Sequence, residues 1–263
     1  MKPSLTIIKV GGAVVEDEAQ LTQLLRDFTA IQGPKILVHG GGRRATKIAE
    51  RLGIETKMID GRRITDADML EVVTMVYGGL VNKNVVARLQ ALGCDAIGLT
   101  GADANILLSQ KRPLKMVNGE PVDYGFVGDV KQASGSKIAH FIDVNLIPVI
   151  APLTHDGQGH MLNTNADTMA SETAKAMAAV GYDVTLIYAF EKPGVLRDAD
   201  DDNSVIATIN HADFDTYKAD GTISGGMLPK IENALAAIDA GVQRVIITKA
   251  TAIDGQHGTV ITK

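Results

Sequence analysis

Short apolar runs and longer stretches of helical period take turns along this chain. The runs fall at Leu5 to Val10, Ile36 to His39, Ala96 to Leu99, Leu146 to Ala151, Val184 to Tyr188 and Arg244 to Thr248. Between them, apolar residues recur at helical spacing over Asp17 to Ile31, Arg43 to Leu52, Asp66 to Leu92, Ala166 to Val180 and Met227 to Ala240. Short, often β-branched apolar runs predict buried strands, and the longer periodic stretches predict the helices that cover them. Strand and helix in alternation mean βαβ crossovers, so the fold class is α/β with a mostly parallel sheet. Such sheets bind ligands beyond the C-terminal ends of their strands. One interruption stands out: Lys115 to Val122 reads as two short strands around Asn118-Gly119, a β-hairpin flap on the α/β body.

Composition narrows the function classes. With 263 residues, 45% of them hydrophobic, the chain is long enough for one large domain or two lobes. A formal charge of −5 argues against general affinity for nucleic acid or anionic membrane, both of which need a net basic face. No apolar stretch reaches the length of a membrane span, and Lys9 and Glu16-Asp17-Glu18 come too early for a secretory leader. The expected location is cytoplasmic, and the single Cys94 reads as a small buried hydrophobe rather than half of a disulfide. The acidic run Asp198 to Asn203 lacks the glycine and closing glutamate of a calcium loop, so it reads as a solvated turn.

Candidate chemistry sits at the element ends. Thr6-Ile7-Ile8-Lys9-Val10-Gly11-Gly12 closes an apolar strand with a lysine and two glycines, whose backbone N–H groups make a seat for phosphate. A second turn, His39-Gly40-Gly41-Gly42, runs directly into a helix that opens with Arg43-Arg44, another seat for an anion. Arg63 leaves the Asp60-Gly61 turn just before a helix capped by Thr65 or Asp66, and its planar fork suits a carboxylate. Asn163-Thr164-Asn165-Ala166-Asp167 holds more hydrogen-bonding capacity than a helix cap needs. In Ser224-Gly225-Gly226-Met227-Leu228-Pro229-Lys230, the lysine falls near the positive end of a helix dipole, where only an anion makes it favourable. Each segment alone also reads as an ordinary cap, turn or surface charge. Together, two lysines, an aspartate and two glycine-rich anion seats fit phosphoryl transfer, in which catalysis is mainly positioning and charge stabilisation. Walker A spacing, the protein-kinase triplets and metal-ligand spacing are absent from the sequence. The six histidines form no recognisable catalytic arrangement.

Taken in order, these segments and Asp123-Tyr124-Gly125-Phe126-Val127-Gly128 resemble the amino acid kinase family over nearly the whole chain. The resemblance is to the branch that phosphorylates the side-chain carboxylate of N-acetyl-L-glutamate, or a close N-acylglutamate such as N-succinylglutamate, on the route to arginine. It implies an open αβα sandwich in a single domain, with a substrate lobe over about 1–160 and a nucleotide lobe over about 161–263. It implies ATP with Mg²⁺, catalysis by Lys9 and Lys230, and orientation of both by Asp167. Gly41, Gly42, Arg63 and Asn163 would hold the acylamino acid. Gly11 and Gly12 would meet the γ-phosphate, with the rest of the nucleotide over Glu191, Lys192, Gly194, Val195, Leu196, Thr222, Ile223 and Ser224. The chain departs from the family at Glu191-Lys192-Pro193, where an Asp-Val pair is usual. The resemblance further implies a homodimer, and because Lys9 lies so near Met1, no N-terminal arm for hexamers or arginine feedback is expected. A longer, charged acyl group would call for a basic lining, with Lys83, Arg88 and Lys115 as candidates, and Tyr77-Gly78-Gly79 or the flap would shape that pocket. The rivals are a sister activity on carbamate, aspartate, glutamate or uridylate, and a catalytically silent nucleotide-binding regulator.

Overall fold

The computed structural model describes residues 2–59, 62–117 and 119–263. Asp60, Gly61 and Asn118, read above as turn residues, lie outside the described residues. In chain order the structure begins β1 (Ser4–Val10), α1 (Gly12–Glu16), α2 (Glu18–Ala30), β2 (Lys35–His39) and α3 (Gly42–Arg51). A small antiparallel pair follows, β3 (Met58–Ile59) with β4 (Arg62–Arg63), then α4 (Ala67–Val73), α5 (Asn82–Ala91) and β5 (Ala96–Leu99). Next come β6 (Leu107–Lys111), the hairpin β7 (Lys115–Val117) and β8 (Glu120–Val122), β9 (Gly128–Ala133), α6 (Gly135–Asp143), β10 (Ile147–Ile150), β11 (Leu153–His155) and β12 (Met161–Asn163). The chain closes with α7 (Ala166–Ala179), β13 (Asp183–Phe190), β14 (Thr208–Ile209), α8 (His211–Ala219), α9 (Met227–Asp239), β15 (Arg244–Lys249) and β16 (Thr259–Ile261).

Eight strands form the central sheet in the order β14-β16-β15-β13-β1-β2-β10-β5. All neighbours are parallel except β15 and β16. Side-chain alternation sorts each strand onto two cores. Leu5, Ile7, Ile36, Val38, Leu186, Tyr188, Val245 and Ile247 face the helices α6, α7, α8 and α9. Ile8, Val10, Leu37, Ile187, Ala189 and Ile246 face α2 and α5. The sheet is therefore covered on both sides, as an αβα sandwich requires. A second sheet runs in the order β12-β11-β6-β9.

The structure refines the expectations at three places. The glycines after β1 open directly into α1, a short helix whose first residue is Gly12. The single helix expected over Asp66 to Leu92 is α4 and α5 joined by a π-helical stretch, Thr74–Val81, with Asp66 as its N-cap accepting from the Met69 N–H at 2.9 Å. Cys94 is buried in the core against α5, as a small hydrophobe. Among the described residues no helix is long and apolar enough to cross a membrane.

Candidate active site

Alternation along β1 decides where Lys9 goes. Leu5 and Ile7 face α7 and α9, so Lys9, two residues on, emerges beneath the first turn of α7. Asn165 caps that helix, its Oδ1 accepting from the Asp167 and Thr168 N–H groups at 2.8 and 3.1 Å, which fixes Asp167 in the first turn. Lys9 Nζ stands 2.6 Å from Asp167 Oδ1, and Lys230 Nζ, from the first turn of α9, stands 2.9 Å from Oδ2. Asp167 thus bridges two lysines from opposite ends of the sequence. The Lys9 contact is an ion pair without hydrogen-bond direction, which leaves Oδ1 with a charge partner but no aimed donor.

Burial by itself pushes the Asp167 carboxyl up, but the Lys9 and Lys230 charges outweigh it and hold the group far below the ordinary carboxylate range. Lys230 is shifted down, first by burial and then by repulsion from Lys9, with Asp167 opposing. Its ammonium also lies 5.4 Å above the Tyr188 ring and 5.9 Å from that of Phe190. Two cations share one half-buried anion, so the triad carries surplus positive charge.

Beside it lies a cavity of about 220 Å³. Gly12, Gly40, Gly41, Gly42, Arg62, Arg63, Tyr77, Arg112 and Asn163 through Ala166 contribute to its lining. The two glycine turns touch: a Cβ on Gly40 would stand 3.1 Å from the Gly12 nitrogen. Gly41 must be a glycine for a different reason, since its Cβ would meet Tyr77 Cδ1 at 2.9 Å. The Gly12, Gly41 and Gly42 N–H groups find no protein acceptor among the described residues. Gly11 differs from expectation. Its N–H donates to the Ala189 carbonyl at 3.1 Å, extending the β1–β13 ladder, and so is spent within the sheet rather than offered to a phosphate.

Arg63 is buried, yet its guanidinium donates only to neutral acceptors: Gly42 O and Thr46 Oγ1, both at 2.9 Å, Thr56 Oγ1 at 3.2 Å and Met69 Sδ at 3.9 Å. No carboxylate among the described residues answers its charge. Asn163 is also buried and donates through Nδ2 to Thr65 Oγ1 at 2.9 Å.

The residues expected at the nucleotide fall beyond the C-terminal end of β13 and before α9. Val195 and Ile223 bury their side chains in the core, and the Val195 N–H donates to Thr259 Oγ1 at 2.9 Å, its carbonyl accepts from the Ile206 N–H, and the Ile223 N–H donates to the Tyr217 carbonyl, so little of either residue is free for a ligand. Gly194 packs so closely that a Cβ would come within 2.8 Å of Val205. Leu196 bridges to Val205, and Thr222 donates its N–H to Asp220 Oδ1. Ser224 is exposed, its carbonyl accepting from the Met227 N–H. Lys192 is tied to Asp202 Oδ1 at 3.0 Å and to the Ala199 carbonyl at 3.2 Å, which gives the acidic turn a structural partner. Glu191, just after β13, reaches Arg43 in the first turn of α3 at 3.4 Å.

Two arginines of the cavity were not among the expected site residues. Arg112 arrives from the strand β6 and pairs with Asp129 Oδ1 at 3.0 Å; nothing in its spacing marks it. Arg62, adjacent to Arg63, could have been noticed from the doubled arginine, and it is pushed down first by burial and then by repulsion from Arg112. Conversely, Lys83 and Arg88 do not line this cavity. Lys83 bonds the Gly98 carbonyl at 3.1 Å and Arg88 pairs with Glu18 at 2.6 Å, contacts that hold both elsewhere. Lys115 is exposed on the hairpin and does not line it either.

Comparison with known proteins accords with this geometry. The whole chain is 63% identical to a protein named acetylglutamate kinase from Bacteroides fragilis (strain YCH46), covering 98% of that protein. It is 38% identical over 257 residues to one of the same name from Methanopyrus kandleri, covering 98% of this chain and all of that one. Among solved structures, smu.665 from Streptococcus mutans UA159 superposes with a TM-score of 0.78 at 29% identity over 98% of both chains. Carbamate kinase from Giardia lamblia bound to AMP-PNP shares the fold, with a TM-score of 0.70 at 14% identity over 99% of each. Residues 4–249 match the amino acid kinase family, and the chain belongs to that family.

Proposed function

We propose that this protein transfers the γ-phosphoryl group of ATP to the side-chain carboxylate of N-acetyl-L-glutamate or a close N-acylglutamate, making an acyl phosphate for arginine biosynthesis. The observation that carries the reading is the convergence of Lys9 and Lys230 on Asp167 beside a cavity holding Arg63 without an acidic partner. The names of the full-length relatives support the choice of substrate.

In this reading a carboxylate oxygen of the acceptor attacks the γ-phosphorus in line. The new O–P bond forms as the bond to the β,γ-bridging oxygen breaks, and ADP leaves with that electron pair. No base is needed, because the acceptor is already ionised at neutral pH. Lys9 and Lys230 quench the repulsion between incoming and departing oxygens, and Asp167 holds their ammonium groups in register. The Gly12, Gly41 and Gly42 N–H groups supply donors that need no reorganisation. Arg63 forks the α-carboxylate and Asn163 meets the acyl amide. Glu191, Lys192, Gly194 to Leu196 and Thr222 to Ser224 bound the nucleotide surface, within a C-terminal nucleotide lobe facing an N-terminal substrate lobe. Mg²⁺ would arrive on the phosphates of ATP, where it draws off negative charge; the Asp167 oxygens are already committed to lysines, and among the described residues no three metal-ligating side chains cluster. The protein acts in the cytoplasm as a homodimer; light scattering reading a hexamer would contradict the assembly.

One observation favours a dicarboxylic acyl group such as succinyl. Arg62 and Arg112 line the cavity in addition to Arg63, and Asp129 balances only one of them among the described residues. N-acetylglutamate has one carboxylate to spare for arginine, whereas N-succinylglutamate has two. Incubation with ATP, Mg²⁺ and hydroxylamine traps acyl phosphates as hydroxamates. A panel of N-acetylglutamate, N-succinylglutamate, glutamate, aspartate and carbamate should give product only with the N-acylglutamates, and the faster of the two names the acyl group. Silence across the panel from protein that still binds ATP would favour a regulatory role.

A further inference from the structure

His39 ends β2 immediately before the Gly40-Gly41-Gly42 turn and is completely buried. The roles assigned above use the glycines but not this imidazole. Its Nδ1 lies 2.8 Å from the Gly40 carbonyl oxygen and its Nε2 lies 3.1 Å from Asn82 Nδ2. The Asn82 amide is oriented independently: Nδ2 donates to the Val149 carbonyl at 2.9 Å, and Oδ1 accepts from Lys83 Nζ at 3.2 Å. A carbonyl oxygen only accepts, so Nδ1 must carry the proton; an amide nitrogen only donates, so Nε2 must not. One tautomer of neutral His39 satisfies every contact. Burial agrees, taking the imidazole down to about 4 despite the Gly40 bond that opposes it, with Lys83 adding to the fall.

The C=O and N–H of a trans peptide point in opposite directions. A bond that holds the Gly40 oxygen against His39 therefore also fixes the direction of the Gly41 N–H. Peptides between glycines turn with little steric resistance, so without a tether that donor would have no preferred aim. Gly41 lines the cavity, and its N–H has no protein acceptor among the described residues. We propose that His39, locked as the Nδ1–H tautomer by Asn82, is a positioning residue that aims the Gly41 N–H at the acceptor carboxylate during phosphoryl transfer; this rests on the function proposed above. Gly98 belongs to the same relay, because a Cβ there would stand 1.9 Å from Asn82 Oδ1 and expel the amide.

Two isosteres separate positioning from mere packing. His39→Asn sets an amide nitrogen near the place of Nδ1 and keeps a donor for the Gly40 carbonyl. His39→Gln reaches toward Asn82 and loses that donor. In the hydroxamate assay, per folded enzyme, His39→Gln should lower kcat ~10²-fold, the loss typical of one misdirected oxyanion donor, while KM for ATP stays within ~2-fold. His39→Asn should restore kcat to within ~10-fold of the wild type. Equal kcat in the two variants, or wild-type kcat in His39→Gln, overturns the proposal. Independently of any substrate, NMR of the wild-type protein labelled with ¹⁵N-histidine at pH 7 should show His39 neutral with the proton on Nδ1. An Nε2–H tautomer or an imidazolium also overturns it. Wild-type protein that phosphorylates no acceptor would instead sink the phosphotransfer reading, a result distinguishable from both.

Discussion

The chemistry of this protein is concentrated in a few buried charges. Asp167 anchors two ammonium groups, so Asp167→Asn leaves both without an anion and should cost ~3–5 kcal/mol of stability, read by denaturant unfolding. The same variant should alter the pH–rate profile. Lys230 already loses its proton below the ordinary lysine value, and Asp167 is what holds that value up. The alkaline limb of kcat should therefore fall below pH ~10.5 in the wild type and move further toward neutrality in Asp167→Asn. An unmoved limb would show that the lysine is not the titrating group. His39 gives a stability signature of opposite reach. Its folded value near 4 lies below the unfolded value, so the unfolded chain binds more protons as the pH falls. Its contribution is intact above pH ~6.5 and is lost progressively down to about 4, a decline of ~3 kcal/mol that His39→Asn should flatten in acid unfolding curves.

At the scale of elements, close approach decides which glycines are replaceable. A Cβ on Gly135 would stand 2.2 Å from the Ala176 carbonyl, backbone that cannot yield, so Gly135→Ala should pry α6 from α7 at a cost of ~1–3 kcal/mol in thermal unfolding. Gly79, in the π-helical stretch, has nothing within 4 Å of a Cβ, and Gly79→Ala should be neutral or mildly stabilising in the same measurement. The main strands and helices were legible because apolar runs and helical periods mark them. Lys9 was legible as a candidate because a charged residue interrupts an apolar strand just before two glycines, and the fold seats it against Asp167. The second sheet was not: β6 and β9 carry Ser109-Gln110-Lys111 and Asp129-Val130-Lys131-Gln132, whose polar residues mask the strand period. Arg112 was hidden with it, since only the pairing of β6 with β9 brings it to Asp129 and the cavity. The π-helical stretch left no trace either. Its buried residues Tyr77 and Val81 keep the four-residue spacing an α-helix also uses, yet this stretch is what carries Tyr77 against Gly41.

For the molecule as a whole, a net charge of −5 surrounds a cavity lined by three arginines. Anionic substrate must be drawn in by local field alone, and exposed charge is screened beyond ~8 Å at physiological salt. KM for the acylglutamate should accordingly rise several-fold between low and high ionic strength, with kcat changing less; an unchanged KM would mean that the arginines act by contact only. The layout of the central sheet reaches further still, into how the protein is born. β1 lies between β2, its near neighbour in sequence, and β13, where Ser4 pairs with Asp183. On the ribosome, the first strand must wait with one bare flank until most of the message has been translated. A fragment released at residue 160 would keep that sticky margin open, inviting aggregation rather than yielding a working half.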